Sequence, residues 1–309
     1  MRLWAALTTI YVVWGSTYLA IRVMVETVPP LLGSGARFLV AGAIFAAVLV
    51  ARRGASALRV SRRELASCAA VGTALLLGGN GLVAVAEQHV PSGLAALVVA
   101  SVPLWVVVFR RASGEAIGAA TALSVVAGFA GVAILLAPGE RPGGAPVGGV
   151  LVVVAAAFCW ASGSFASSRL PLPRDPLRST AVQMLCGGAL MLGVSLLAGE
   201  GGDVHWSQVS TASLLAFAYL VLAGSLAAFT AYVWLLRNAP VSQVATYAYV
   251  NPVIAIALGA VILGEQLTPL VLAGAGVIVA SVAVTVRREG ARPRARPATA
   301  SAAAPEPAR

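Results

Sequence analysis

The chain has 309 residues, 59% of them hydrophobic and 10% charged, and its mean hydropathy is +0.91. So few charged side chains cannot cover the surface of a water-soluble domain of this size, which excludes a soluble fold. The net charge of +10 comes from Arg alone, without a single Lys, and the Arg sit mainly in short loops between apolar blocks, a pattern of membrane topology and not of nucleic-acid binding.

A membrane span needs about 20 apolar residues to cross about 30 Å of hydrocarbon. Ten such blocks follow one another: Leu3–Val25, Gly33–Ala51, Leu65–Glu87, Gly93–Phe109, Ile117–Ala137, Val147–Ser168, Ser179–Ala198, Ala212–Leu236, Ser242–Leu263 and Thr268–Val286. Each must be helical, because a lipid-facing backbone has to satisfy its own hydrogen bonds. The short alternating segments of a β-barrel are absent. The first block lacks a small-residue cleavage site and is the first of many, so it reads as an uncleaved span. Cys68, Cys159 and Cys186 lie far apart in apolar blocks, in no CxxC or Cys/His cluster, and read as small buried thiols. No metal site and no cofactor is implied.

With the N-terminus in the cytoplasm, the inner side holds Arg2, Arg52, Arg53, Arg59, Arg62, Arg63, Arg110, Arg111, Arg169, Arg174, Arg178, Arg237 and six Arg of the tail after Val286. The outer loops hold only Arg141, while Arg22 and Arg37 lie near the outer boundary. This bias predicts a multi-pass inner-membrane protein with both termini cytoplasmic and an even number of spans. The tail 287–309, rich in Arg, Ala and Pro, cannot build a core and reads as disordered. Its Arg can meet anionic lipid headgroups or merely fix topology.

The chain also repeats itself. Pro91 and Pro103 are 12 apart, as are Pro240 and Pro252, at an offset of 149. Gly114-Glu115 recurs as Gly264-Glu265 at an offset of 150, and Trp14 with Ser16 recurs as Trp160 with Ser162 at 146. Two units of five spans result, 3–137 and 147–286. An odd number of spans forces the second unit to enter the membrane upside down, a recurring transporter plan with its solute site between the halves.

The residues that carry these features resemble a known family. WGSTYLAIR, the following PP and GARFLVAGAIF are similar to the opening of the EamA-type drug/metabolite transporters. GGNGLVAVAEQHVPSGLAALVVASVPLW and AYVNPVIAIALGAVILGEQLT look like the ends of that family's two repeats, and the YedA-like branch is the nearest in pattern. The resemblance implies ten helices in two inverted five-helix repeats and export of amino acids or other small metabolites by alternating access. Within it, a channel-like facilitator and a multidrug efflux protein are the alternatives.

Polar and aromatic side chains deep in the spans are the candidate solute ligands: Trp14, Tyr18, Asn80, Trp160, Gln183, Tyr247 and Asn251. The amides are costly to bury and so weigh more than the aromatics, which also pack cores. Arg37, at the start of the second span, is placed to attract a solute carboxylate or else snorkels to the interface. Arg22 and Glu26, four apart, can pair if the helix continues that far. Pro103 and Pro252 lie inside the fourth and ninth spans and free the carbonyls of Val99 and Ala248. Their matching places read as hinges, with a packing kink as the alternative. Glu87 is the one plausible proton carrier, because the first span has no midplane carboxylate. Glu115 and Glu265 read as braces for the helix after each turn.

An enzyme would need a nucleophile, a base and an orienting group close together. The two histidines, His89 and His205, fall in outer loops, and no HExxH, GxSxG or nucleotide loop is present. The expected partners are a small-molecule metabolite and membrane lipids, without nucleic acid. Glycines such as Gly72, Gly128, Gly187 and Gly274 suit either two rocking halves or a homodimer contact.

Overall fold

The computed structural model describes residues 1–136, 144–202, 206–239 and 241–290; Arg141, His205, Pro240 and most of the tail lie outside the described residues. Among these residues every regular element is a helix, and nine helices are long and apolar enough to cross a bilayer. In chain order the first eight are α1 (Arg2–Met24), α2 (Pro30–Arg53), α3 (Arg62–Ala86), α4 (Ser92–Ala112), α5 (Ala119–Leu136), α6 (Val147–Ser167), α7 (Pro176–Leu197) and α8 (Thr211–Leu235). The shorter α9 (Tyr247–Leu263) precedes α10 (Pro269–Gly290). Leu123, Val126, Leu197 and Val261, each at least 67% exposed, face outward as they would into lipid.

Local chemistry sets the ends. Pro29 and Pro30 open α2, since proline suits the first turn where no N–H bond is required. Ser61 and Glu64 form a reciprocal capping box on α3. Asp175 caps α7, and Ser210 caps α8 through the Ser213 N–H. Gly114 and Gly264 take positive φ (88° and 66°), so the turn before each glutamate admits glycine alone at no strain. The helix α10 runs on to Gly290, so the first residues of the expected tail are helical.

The halves are related by inversion in their packing. The pair α2 and α7 and the pair α5 and α10 each pack against their counterpart. The contact of α1 with α8 is matched by that of α6 with α3. Small residues allow these approaches. A Cβ at Gly187 would stand 2.7 Å from the Gly72 carbonyl oxygen, and one at Gly274 2.6 Å from Leu135. These glycines are therefore consumed within one chain.

Four spans are irregular, in matching pairs. In α3 the stretch Thr73–Gly81 is π-helical, and in α8 so is Leu220–Ala227. Such wide turns mark functional sites in many helices. The fourth span breaks into Ser92–Val99 and Val102–Ala112, with Pro103 at the second position of the restarted helix. The ninth crossing breaks earlier than its proline predicts. A short turn Val241–Val244 precedes Ala245–Thr246, and Pro252 then lies inside the continuous α9.

Candidate functional site

The inverted symmetry fails at one place. Ser92–Val99 of α4 packs against both α1 and α9. Its mate, Val241–Val244, packs against α8 and α10, with no comparable contact to α6 among the described residues. Likewise Val102–Ala112 packs against α6, α5 and α10, with no comparable contact to α9 among the described residues. The two broken spans thus meet at one end of the bundle and part at the other. Arg52 and Arg53 in the last turn of α2, Arg110 and Arg111 in the last turn of α4, Arg178 in the first turn of α7 and Arg59, Arg169 and Arg174 in the loops lie at the parted end, here the Arg-rich end.

A clasp joins the halves at the Arg-poor end. Glu265 follows the Gly264 turn after α9, and its Oε1 accepts the N–H (2.6 Å) and the hydroxyl (2.8 Å) of Ser92. Its Oε2 accepts the Gly93 N–H at 2.9 Å. The carboxylate therefore caps the N-terminus of α4, where helix dipole and free N–H groups favour negative charge. A Cβ at Gly259 would lie 2.4 Å from Oε2, so glycine there makes room for the clasp. The sequence predicts instead that Glu265 braces its own next helix. The partner is missed because it lies 173 positions away. Around the clasp, Arg22 Nη1 donates to the main-chain carbonyls of Glu87 (2.6 Å) and Gln88 (3.0 Å). The expected Arg22–Glu26 pair does not form, because α1 ends at Met24 and Glu26 is exposed. Thr27, in the turn after α1, donates to Ser213 Oγ at 2.8 Å, and Ser213 Oγ donates to the Val23 carbonyl at 2.9 Å, tying α1 to α8.

At the Arg-rich end Glu115, the repeat mate of Glu265, holds different partners. It accepts from Arg110 Nε (2.7 Å) and Arg169 Nη2 (2.9 Å). The hydrogen bond from Arg110, with the Arg169 guanidinium beyond it, holds this carboxyl below the usual carboxylate range. Arg53 pairs with Asp175 across α2 and α7.

Between the two ends lies a group of side chains built on the wide turn of α8. Arg37 stands seven residues into α2, about 10 Å along the axis, because the Pro pair starts that helix earlier than hydropathy suggests. It is 5% exposed. Its Nε donates to Ser225 Oγ at 2.9 Å, and its guanidinium lies 4.7 Å from the Phe38 ring centroid. No carboxylate pairs with it among the described residues. The neighbouring Gly224 leaves space that a Cβ would fill, 3.2 Å from Arg37 Nη2 and 3.1 Å from Thr17. Its carbonyl accepts from Trp14 Nε1 at 3.2 Å. Trp14 in turn sits at 5.2 Å, centroid to centroid, from both Tyr232 and Tyr247. One turn away, Tyr11 and Thr246 are hydrogen-bonded across α1 and α9.

The structure thus brings Trp14, Arg37 and Tyr247 together, with Thr17, Gly224, Ser225 and Tyr232 added to the sequence set. The run Gly78-Gly79-Asn80-Gly81, matched by Ala223-Gly224-Ser225, was the available signal for the paired wide turns. Asn80 occupies the repeat position of Ser225, half-buried and with no side-chain hydrogen bond among the described residues, beside Gly79, on which Trp160 rests at 2.7 Å from a notional Cβ. Tyr18 packs against two apolar clusters, one that includes Leu94 and Val98 and one that includes Ile21, Met24 and Val83. Gln183 donates to Ser179 Oγ (2.8 Å) within its own helix and stands apart. The Asn251 amide, its nitrogen turned to them, reaches the main-chain oxygens of Tyr247 and Tyr11 (3.3 Å each) and so knits α9 to α1.

Comparison with known proteins accords with this geometry. The model of the EamA-like transporter family matches residues 3–137 and 147–287. The chain belongs to that family. It is 40% identical over 281 residues, 91% of this chain and 89% of the relative, to the uncharacterized inner membrane transporter YedA of Escherichia coli K12. A probable amino-acid metabolite efflux pump of Salmonella typhimurium is 28% identical over 289 residues, 90% of this chain and 92% of that one. A solved crystal structure of a protein 24% identical superposes with a TM-score of 0.62, covering 91% of this chain and 96% of that one, and shows the shared fold. As an EamA-like protein the chain is a membrane transporter and not an enzyme.

Proposed function

We propose that this EamA-like protein exports amino acids or other small carboxylate-bearing metabolites across the inner membrane by alternating access. The observation that carries the reading is that α4 and α9 meet at the Arg-poor end and part at the Arg-rich end. With the Arg-rich loops in the cytosol, as the positive-inside rule requires, the described state opens its site inward, ready to load a solute for export. Both termini are then cytoplasmic. A channel-like facilitator needs a path open at both ends, and the Glu265 clasp closes one of them.

Arg37 is the anchor of the proposed site. A buried guanidinium with no counter-carboxylate is costly, and such intramembrane charges serve ligands. A solute carboxylate completes its pairing bidentately. Trp14 and Tyr247 contact the solute body, and Asn80 with Trp160 faces it from the other half. Support for amino acids as the class comes from the Salmonella relative, a probable amino-acid metabolite efflux pump.

Metabolite profiling of cells and medium, with and without overexpression, tests the reading. Export predicts one or a few carboxylate metabolites enriched in the medium and depleted in cells. Arg37→Ala at normal abundance abolishes that enrichment. Unchanged profiles, or full export by Arg37→Ala, contradict it.

A further inference from the structure

We propose that Glu87 is a proton-binding site and that the gate at the Arg-poor end closes only over its protonated carboxyl. The inference rests on the alternating-access reading above and adds to it a ligand, the proton, taken up from the solution on the Arg-poor face.

Glu87 follows α3 directly and is fully buried. Among the described residues neither carboxyl oxygen has a hydrogen-bond partner. The donors nearby are spent elsewhere. Arg22 gives its Nη1 to the main-chain oxygens of Glu87 and Gln88, and the Ser92 and Gly93 groups serve Glu265. The ionisable groups facing the site are Tyr18 and Arg22 from α1 and Glu265 from the turn after α9. Glu26 and His89, next in sequence to these elements, are exposed. No ionisable side chain comes from Ser92–Val99 of α4.

An ionised carboxylate in this place would lack every hydrogen bond and would stand beside a second negative charge, Glu265, a cost that the Arg22 guanidinium, bonded to main-chain oxygens, offsets only in part. The neutral acid fits; the anion does not. When the clasp parts, the Glu87 carboxyl meets water and its O–H proton passes to the solution, leaving the carboxylate. When the clasp closes, one proton is taken back. Closure therefore binds one proton, and over the range where the open gate holds Glu87 ionised, each unit of pH rise lowers the closed-to-open ratio up to tenfold. Glu87 is sealed from the Arg-rich side in this state, so the proton sets the gate and is not passed through it. Acid on the outer face then speeds the return of the emptied carrier to its loading state.

The test uses the full-length chain in lipid nanodiscs, its three native cysteines replaced and spin labels at Gln88→Cys and Gln266→Cys, both exposed positions flanking the clasp. Pulsed electron resonance reads their separation from acid to alkaline pH. The wild-type background is expected to show one short separation in acid and a growing longer population as pH rises. Glu87→Gln, a near-isosteric mimic of the neutral acid, is expected to stay short throughout. Glu265→Gln checks that the labels report the clasp, and should lengthen the separation at every pH. Infrared spectra add a readout that needs no motion: a protonated carboxyl stretch present in wild type and absent in Glu87→Gln. A wild-type separation indifferent to pH, the same pH response in Glu87→Gln, or identical infrared spectra would overturn the proposal. No solute enters the experiment, so a failed export assay and a failed gate assay are separable.

Discussion

Replacing Glu265 by Gln should open the Arg-poor end. The carboxylate accepts three hydrogen bonds, from the Ser92 N–H, the Ser92 hydroxyl and the Gly93 N–H, at 2.6, 2.8 and 2.9 Å. Bonds to a charged acceptor contribute about 1.5–3 kcal/mol each. Glutamine keeps one acceptor oxygen, turns an NH2 towards an N–H, and removes the charge from the helix N-terminus. The loss comes to about 2–4 kcal/mol, since the bonds share one group and do not add. That corresponds to a roughly 30- to 1,000-fold fall in the closed-to-open ratio. The assay is the spin-label pair at positions 88 and 266, read at fixed acid pH where the wild type is closed. Gly259→Ala should act in the same direction, because its Cβ would lie 2.4 Å from Oε2. If both variants keep the wild-type separation, the contacts of Glu265 do not hold the gate.

Arg37→Met should abolish export yet leave the melting temperature equal or higher, because it removes a buried charge that no carboxylate offsets; a large fall in melting temperature would make Arg37 structural. Asn251→Ala should lower thermal stability by about 1–3 kcal/mol, the cost of a lost buried bond network, while leaving solute preference intact, since its amide faces main-chain oxygens; a changed preference measured by competition would contradict this. The Glu115–Arg169 bridge should couple by less than about 1 kcal/mol, because both groups are partly exposed. Its carboxyl is held low in the folded chain, so the contribution is present above the ordinary carboxylate range and disappears as pH falls through the lowered value. A double-mutant cycle on thermal unfolding at neutral and strongly acid pH reads this, and a coupling that grows in acid would refute it.

The ten helices were legible because lipid imposes a length and a polarity on every span. Arg52, Arg53, Arg110 and Arg169 marked one end of the bundle for the same reason. The contacts that distinguish one end from the other were not legible. Glu265 reaches Ser92 and Arg37 reaches Ser225 across 173 and 188 positions, and no local pattern encodes such a pairing. Prolines announced broken helices but misplaced one break. Pro103 sits beside the break at Ala100–Ser101, whereas Pro252 lies inside a continuous helix begun at Tyr247. Depth was misjudged at Arg37, where the Pro pair starts the helix three residues, just under one turn, before the span expected from hydropathy. Asn80 was legible as a costly amide, but the wide turn that presents it shows only as a run of small residues.

Chemical access to Asn80 most directly separates a one-sided carrier from the alternatives. Asn80→Cys in the cysteine-free background would be exposed to a membrane-impermeant maleimide from each face of oriented vesicles. In acid, where the gate at the Arg-poor end is closed, labelling from the cytoplasmic face alone, slowed by the exported solute, is the predicted result. Labelling from the outer face alone, or equally from both, would contradict it.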